Sequence, residues 1–230
     1  MKLVTRNILY RTGATPGPTP PTPSITVQPI VIDGTKVFTL DYKITTGEEM
    51  GVADIMYNQE WSYYTNKSGW AKMIGYHSSS YGQKWFLGCY KGGVLNPGTQ
   101  FGRSGDRTLS ISGYNDYVNK INKRCLWKYG NRFLRVYETT GNWQQGTEVG
   151  NATTATSSTW TDIIGQNLTI PVTYQAGWTN IFLFYGLRIY AGGDMQGNPT
   201  GALLADYTGA LLNGVEGIYN YTTGQFIAGV

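Results

Sequence analysis

The 230-residue chain carries 18 Lys and Arg against 14 Asp and Glu, a net charge of +4, and 14% of its residues are charged while 14% are aromatic. With 31 Gly, 18 Tyr and 7 Trp it is too rich in glycine and rings for a helical bundle, and too aromatic for a disordered chain. Lys2, Arg6 and Arg11 account for three of the positive charges and residues 12–32 carry none, which leaves 15 basic and 14 acidic side chains for the rest; so nearly neutral a body argues against nucleic acid as a partner.

Residues 1–14 read as an arm. Leu3, Ile8, Leu9 and Tyr10 alternate with Lys2, Arg6 and Arg11 in a segment too short to fold alone. The arm leads into a Pro-rich linker over 15–24, in which five of the nine prolines fall between Pro16 and Pro23. Such a stretch favours extended polyproline II and holds the arm away from the body of the chain. An apolar and basic segment on a stiff spacer suits docking into another protein. The N-terminus has no apolar core of a secretory signal and no run reaches the length of a membrane span, so assembly in the cytoplasm, with Cys89 and Cys125 as reduced thiols, is the expectation.

From residue 25 onward the pattern is short strands and turns. SITVQPIVI (24–32) and KVFTLDYKIT (36–45) are β-branched and aromatic, and Asp33-Gly34 between them predicts a hairpin. In the second run Phe38, Leu40, Tyr42 and Ile44 alternate with Val37, Thr39, Asp41 and Lys43, which predicts one buried face and one wet face. Further strands are expected at 71–79, 83–91, 108–114, 123–129 and 131–139, with turns at Gly92-Gly93 and Gly130-Asn131. Residues 140–161, rich in Thr, Ser and Gly, read as a long loop or an edge strand. NLTIPVTY (167–174) comes next. NIFLFYGLRIYA (180–191) is almost continuously apolar and predicts a central strand buried on both faces. The last residues contain two short hairpin pieces, in which Tyr219, Tyr221 and Phe226 share a face and are expected in the core. No helical periodicity persists over three turns. The sum is an all-β, antiparallel sandwich over 25–230 of roughly ten or more strands.

Within 187–229, the residues Ile189, Tyr190, Gly192, Gly214, Val215, Gly217, Tyr219, Gly224 and Phe226 resemble a pattern common in tailed-phage virion proteins. There an Ile-Tyr strand end, a Gly turn and a Gly-Val-Gly-Tyr-Gly-Phe hairpin close a concanavalin A-like, or laminin G-like, sandwich. KMIGYHSSSYGQKWFLGCYKGG (72–93) is similar to a strand pair of the same proteins. The chain departs from the pattern at DMQGNPTGALLADYTGALLN (194–213), which stands where the family has a shorter connection. The resemblance implies a concanavalin A-like jelly roll and a place on a virion, as a head fibre, capsid decoration or tail protein. One fold hosts many roles, so function must be argued from residues.

Hydrolases on such sandwiches align carboxylates at alternating strand positions. Here the nearest pair, Glu48-Glu49, is adjacent and points to opposite faces, so a glycoside hydrolase is disfavoured. The single histidine, His77, beside Ser78-Ser79-Ser80, has no triad spacing. Cys89, Cys125 and His77 lack metal-ligand spacing, and Asp33, Asp41, Asp106 and Asp194 form no calcium loop. No catalytic residue, metal or cofactor is expected. Two stretches suit binding. Trp61, Tyr63, Tyr64 and Trp70, with Trp143 in a polar loop, are candidate platforms for sugar rings; Asn58, Gln59, Asn66, Asn142, Gln144 and Gln145 lie near them to bond hydroxyls. Core or subunit packing is the competing role of these rings. Lys120, Lys123, Arg124, Lys128, Arg132 and Arg135 form a basic stretch, either a solvated strand face or a contact for an acidic partner. The expected protein is a non-enzymatic, homo-oligomeric virion component, bound to capsid or tail proteins through its arm; a glycan-binding adhesin is the alternative.

Overall fold

A computed structural model describes residues 24–57, 69–77, 84–91, 95–102, 107–111, 123–154, 163–172 and 181–230. The arm residues Lys2, Leu3, Arg6, Ile8, Leu9, Tyr10 and Arg11 lie outside the described residues. The strands, in chain order, are β1 (Ile25–Val27), β2 (Ile30–Ile32), β3 (Phe38–Lys43), β4 (Met50–Tyr57), β5 (Gly69–His77), β6 (Lys84–Lys91), β7 (Leu95–Gly102) and β8 (Arg107–Ser110). They continue as β9 (Arg124–Gly130), β10 (Phe133–Glu138), β11 (Glu148–Thr153), β12 (Asn167–Ile170), β13 (Phe182–Tyr190), β14 (Leu203–Leu212), β15 (Val215–Asn220) and β16 (Gln225–Ala228).

Two antiparallel sheets pack face to face as a sandwich. The larger runs β11-β10-β9-β4-β13-β14-β15-β16, with β1 added to β14 and β2 to β13; the smaller runs β3-β12-β5-β6-β7-β8. Period-two alternation sends one row of each sheet inward. Ile55, Tyr57, Trp127, Tyr129, Phe182, Phe184 and Leu187 from the larger sheet meet Phe38, Leu40, Ile74, Trp85, Leu87, Leu168 and Ile170 from the smaller in one core. Trp85 of β6 and Tyr129 of β9 touch across the layers, ring centroids 5.2 Å apart and tilted 53°. Gly51, paired with Tyr129, leaves room for that ring: a Cβ there would lie 2.3 Å from Tyr129 Cζ.

A polar knot joins the layers at one end. Tyr207, buried on β14, donates its hydroxyl to Asp41 Oδ1 of β3 (2.7 Å) and accepts from the Tyr42 N–H (3.0 Å). Asp41 also accepts from Asn220 Nδ2 (2.9 Å) and Thr223 Oγ1 (2.8 Å). Burial alone would raise the Asp41 pKa; these three hydrogen bonds outweigh it and hold the carboxyl below its usual range.

The 24–32 segment departs from its prediction in two ways. It is not one strand: β1 pairs with β14 and β2 with β13, each antiparallel. Because β13 and β14 are themselves antiparallel, β1 and β2 run in opposite senses and wedge between two diverging strands. The apex is Gln28-Pro29, and Gln28 N–H donates to Gly209 O at 3.0 Å. Gly209 admits the apex, since a Cβ there would lie 2.5 Å from Gln28 O and 2.9 Å from Phe184 O. Nor does Asp33-Gly34 close a hairpin, because β2 and β3 belong to different sheets. Asp33 Oδ1 instead accepts from the Thr35 N–H (2.9 Å) and hydroxyl (2.6 Å), and Gly34 takes φ 82°. The turn is a corner between layers, so both flanking strands point their apolar rows into the same core.

Several other expectations agree with the structure. The 36–45 alternation buries Phe38, Leu40 and Ile44 and leaves Thr39 and Lys43 exposed. β5–β6, β9–β10 and β15–β16 are hairpin pairs, and the Thr/Gly-rich segment holds edge strand β11. Strand β7 carries no strand signal in its sequence, since LNPGTQFG has Pro97 and two glycines. Pro97 is tolerated because β8 pairs only with Gly98–Phe101, leaving that end of β7 beyond its reach. β13 is central, as expected, but only Phe182, Phe184, Leu187 and Ile189 are buried in the core; Tyr185, Arg188 and Tyr190 are half-buried on the other face. That outer face carries the site.

Candidate binding groove

The outer face of the larger sheet is covered in part by the loop 139–147 and in part by 191–202. Beneath them Met50, Val52, Leu126 and Phe133 form a second apolar cluster, against which Trp143 and Tyr190 pack. Beside this cluster opens a groove of about 370 Å³, lined by residues of β1, β4, β9, β13, β14 and three connections between strands, including Asp54, Arg124, Trp143, Tyr185, Arg188, Asp206 and Tyr221. Its volume falls in the ordinary range of small-ligand sites, ~300–1,000 Å³.

Two similar units line it. In the first, Arg124 gives Asp54 two hydrogen bonds, Nε to Oδ1 and Nη2 to Oδ2, both 2.7 Å. Its guanidinium lies 3.7 Å from the Tyr185 ring centroid. Asp54 is 2% exposed, and its hydrogen bonds raise the Arg124 pKa further, which keeps the guanidinium charged. In the second, Arg188 Nε donates to Asp206 Oδ2 at 3.0 Å and the guanidinium lies 4.3 Å from the Trp143 ring centroid. Each unit is thus a carboxylate, a guanidinium and a ring held in a fixed stack.

The sequence explains the positions. Arg124 and Leu126 of β9 face outward with Asp54 of β4, which sits opposite Leu126 and diagonal to Arg124. Arg188 and Asp206 are direct partners across β13–β14. The register shift between Phe184 and Gly186 re-aims β13 where Tyr185 meets the groove. Gly186 clears the ground for Trp143: a Cβ there would lie 2.9 Å from Trp143 Cζ2 and 2.7 Å from Tyr207 O. Gly141 does the same for Arg124, whose Nη1 would lie 2.8 Å from an added Cβ.

Trp143 is held in an unusual backbone. Asn142 and Trp143 have φ 53° and 60°, and Gln144 N–H donates to Gly141 O at 3.1 Å. Two central residues at positive φ make a type I′ turn, which favours Asn at the first position and Gly at the second. A bulky ring in that second position costs of order 1–3 kcal/mol, and such strain concentrates at functional sites. The loop is braced against it. Thr139 Oγ1 donates to Gln144 O (2.6 Å) and accepts from the Gly141 N–H (3.0 Å). Gly146 N–H donates to Glu138 O at 2.9 Å.

Of the five rings named from sequence, Trp61, Tyr63 and Tyr64 lie outside the described residues, as do Asn58, Gln59 and Asn66. Trp70 lies on β5 opposite Tyr90, and its side chain is also outside them. Trp143 lines the groove, but not as a bare platform: one side of its ring carries Arg188. The open ring is Tyr221, expected in the core and instead 55% exposed. It stands edge-on to Tyr219, centroids 5.2 Å apart at 83°. Tyr219 is directly opposite Phe226, so the shared face agrees with the sequence and its burial does not. Sequence reasoning does not single out Asp54, Tyr185, Arg188 or Asp206; their weak signal is Arg and Asp at outward strand positions flanked by rings.

Four of the five described side chains in the basic stretch, all but Arg132, are engaged by partners. Lys123 pairs with Glu138 (2.8 Å), Arg124 with Asp54, and Arg135 with Glu148 (3.1 Å), while Lys128 donates to Gln145 (2.6 Å). Lys120 lies outside the described residues. The two adjacent glutamates take separate structural posts. Glu48 accepts from Asn131 Nδ2 at 3.0 Å. Glu49 is fully buried and accepts from the Thr45 and Thr46 N–H groups, the Thr45 hydroxyl and the Tyr42 hydroxyl. Burial would raise the Glu49 pKa, and the bonds from Thr46 and Thr45 overcome it, so the carboxyl stays below its usual range. The Cys125 thiol is buried, which pushes its pKa up to about 12. Among the described residues no three of His, Cys, Asp and Glu gather as a metal site.

No protein-family model matches the chain, and no curated protein does.

Proposed function

We propose that this protein is a non-enzymatic surface protein of a tailed-phage virion, a head fibre or capsid decoration, attached through residues 1–14 and displaying a concanavalin A-like jelly-roll sandwich. The resemblance in 72–93 and 187–229 and the order arm, spacer, sandwich support it. The observation that carries it is the polarity of the sandwich. The Pro-rich segment delivers the chain at Ser24, whose carbonyl accepts from Asn213 N–H in the β14–β15 turn. The Tyr221 rim of the groove lies at the other end of the same hairpin, where Asn220 pairs with Tyr207. Roughly five residues of strand, ~17 Å at the usual rise, separate the two ends. A tether beside the β14–β15 turn leaves the Tyr221 rim, at the far end of that hairpin, free to face outward, and copies around a particle would add avidity to weak individual binding. Deleting residues 1–14 is expected to abolish incorporation into particles while leaving a folded domain. Normal incorporation of the deletion refutes the anchoring role.

A second reading, a glycan-binding adhesin used in host adsorption, is favoured by the groove itself. Its rings and paired Arg and Asp side chains are the groups that hold sugar rings and their hydroxyls. Asp54 and Asp206 are each engaged by a guanidinium, which suits binding better than acid and base catalysis.

A further inference from the structure

We infer that the groove binds an uncharged, hydroxyl-rich saccharide, with Tyr221 as the stacking ring and the two Asp–Arg pairs as the hydroxyl-reading groups. The inference rests on the glycan-binding reading and names its ligand class. Three observations carry it. First, the charges cancel. Asp54 and Asp206 stand against Arg124 and Arg188 in one lining. A carboxylated or sulfated ligand would be set against the two carboxylates, and a cationic one against the two guanidiniums, whereas an uncharged ligand meets no opposing charge. Second, bonding capacity is left over, and it is of both kinds. Among the described residues, Arg188 spends only Nε on Asp206 and Arg124 spends Nε and Nη2 on Asp54. The Arg188 Nη groups and Arg124 Nη1 therefore remain as donors, and Asp206 Oδ1 remains as an acceptor. A sugar hydroxyl both donates and accepts, so neighbouring hydroxyls match a guanidinium beside a carboxylate. Third, the donors are already fixed. Arg124 is stacked on Tyr185 and Arg188 on Trp143, while Trp143 is locked by a braced turn. Little side-chain freedom is left to lose on binding.

The division of labour differs from a simple aromatic platform. Trp143 is a positioning residue that holds Arg188. Tyr221 supplies the open ring face, at the rim where a ligand enters.

The test uses the full chain, fluorescently labelled, on an array printed with neutral oligosaccharides (lactose, maltose, cellobiose and chitotriose) and acidic ones (sialyllactose, oligogalacturonate and heparin fragments). Hits are carried into calorimetric titration. Neutral saccharides are expected to bind, with affinity reduced roughly tenfold or more in Tyr221→Ala and in Asp206→Asn. Val215→Ala, at an exposed position beyond the groove, should bind as the parent does. Thermal melting of each variant separates lost binding from lost folding, and Tyr221→Ala, which gives up one edge-on ring contact at an exposed position, should stay folded with only a small shift in melting. Binding of acidic saccharides alone, or neutral binding at parental affinity in either variant, overturns the groove assignment and leaves the glycan-binding reading standing. No binding to any printed saccharide overturns both.

Discussion

Removing the two partners of the Asp54–Arg124 pair one at a time should cost unequal amounts, because they are unequally buried. The Asp54 side chain is 3% exposed and that of Arg124 is 28% exposed. Arg124→Ala strands a carboxylate in the sheet with both of its charged hydrogen bonds gone. Breaking a buried pair this way costs about 3–5 kcal/mol. Asp54→Ala strands a guanidinium that still reaches water and still lies on the Tyr185 ring. Its two hydrogen bonds, worth ~1.5–3 kcal/mol each where fully buried, are discounted by solvent to about 2 kcal/mol in total. The difference of ~1–3 kcal/mol between the variants is measurable by urea denaturation at neutral pH, as a shift in midpoint at constant slope. The double variant should be no worse than Arg124→Ala alone, since it leaves no charge behind. Equal losses, or a larger loss for Asp54→Ala, would refute the claim that burial of the carboxylate sets the energetics of the pair.

Three further outcomes rest on particular contacts. The Glu49 carboxyl is held below its ordinary pKa of 4.5, so it contributes stability that is present above about pH 4.5 and lost as pH falls through the lower folded value. Glu49→Gln should be less stable than the parent at pH 7, and the gap should narrow on acidification in melts from pH 7 to 3; a gap that widens contradicts the sign. Gly186→Ala should destabilise by about 1–3 kcal/mol, because the added carbon meets the Tyr207 carbonyl, and it should alter the near-ultraviolet dichroism of Trp143. An unchanged spectrum would place Trp143 off the sheet. Cys125, with its thiol pushed up to about 12, should resist iodoacetamide at pH 8 in the native protein and react after unfolding, as read by peptide mass mapping. Rapid native labelling of Cys125 would contradict its burial.

Elements whose signal is local are legible without coordinates. Alternation in 36–45 names the buried row because period two is a property of one strand. The Gly224 turn marks a hairpin because its φ of 72° favours glycine, and Gly130-Asn131 marks another as a local turn dipeptide between two strands. The long apolar run at 180–191 marks a central strand, but two apolar faces do not make two core faces. The outward row faces away from the core instead, and Tyr185 and Arg188 of it line the groove, since an aromatic ring looks the same in sequence whether a sheet or a ligand covers it. Asp33-Gly34 shows the same limit. The dipeptide specifies a turn, and whether the next strand pairs with its neighbour or crosses to the other sheet depends on partners more than a hundred residues away.

Composition and order along the chain therefore determine the all-β class, the short strands and the concentration of positive charge at Lys2, Arg6 and Arg11 ahead of a nearly neutral remainder. Those properties rest on local conformational preference and on counting charges. The tertiary structure alone decides that the chain re-enters the larger sheet as a wedge between β13 and β14. It also decides that Tyr221 is open while Trp143 is occupied, and that Asp54, Arg124, Arg188 and Asp206 meet in one groove. These depend on register, where a one-residue slip exchanges every inward for every outward side chain, and on pairings that no local signal encodes.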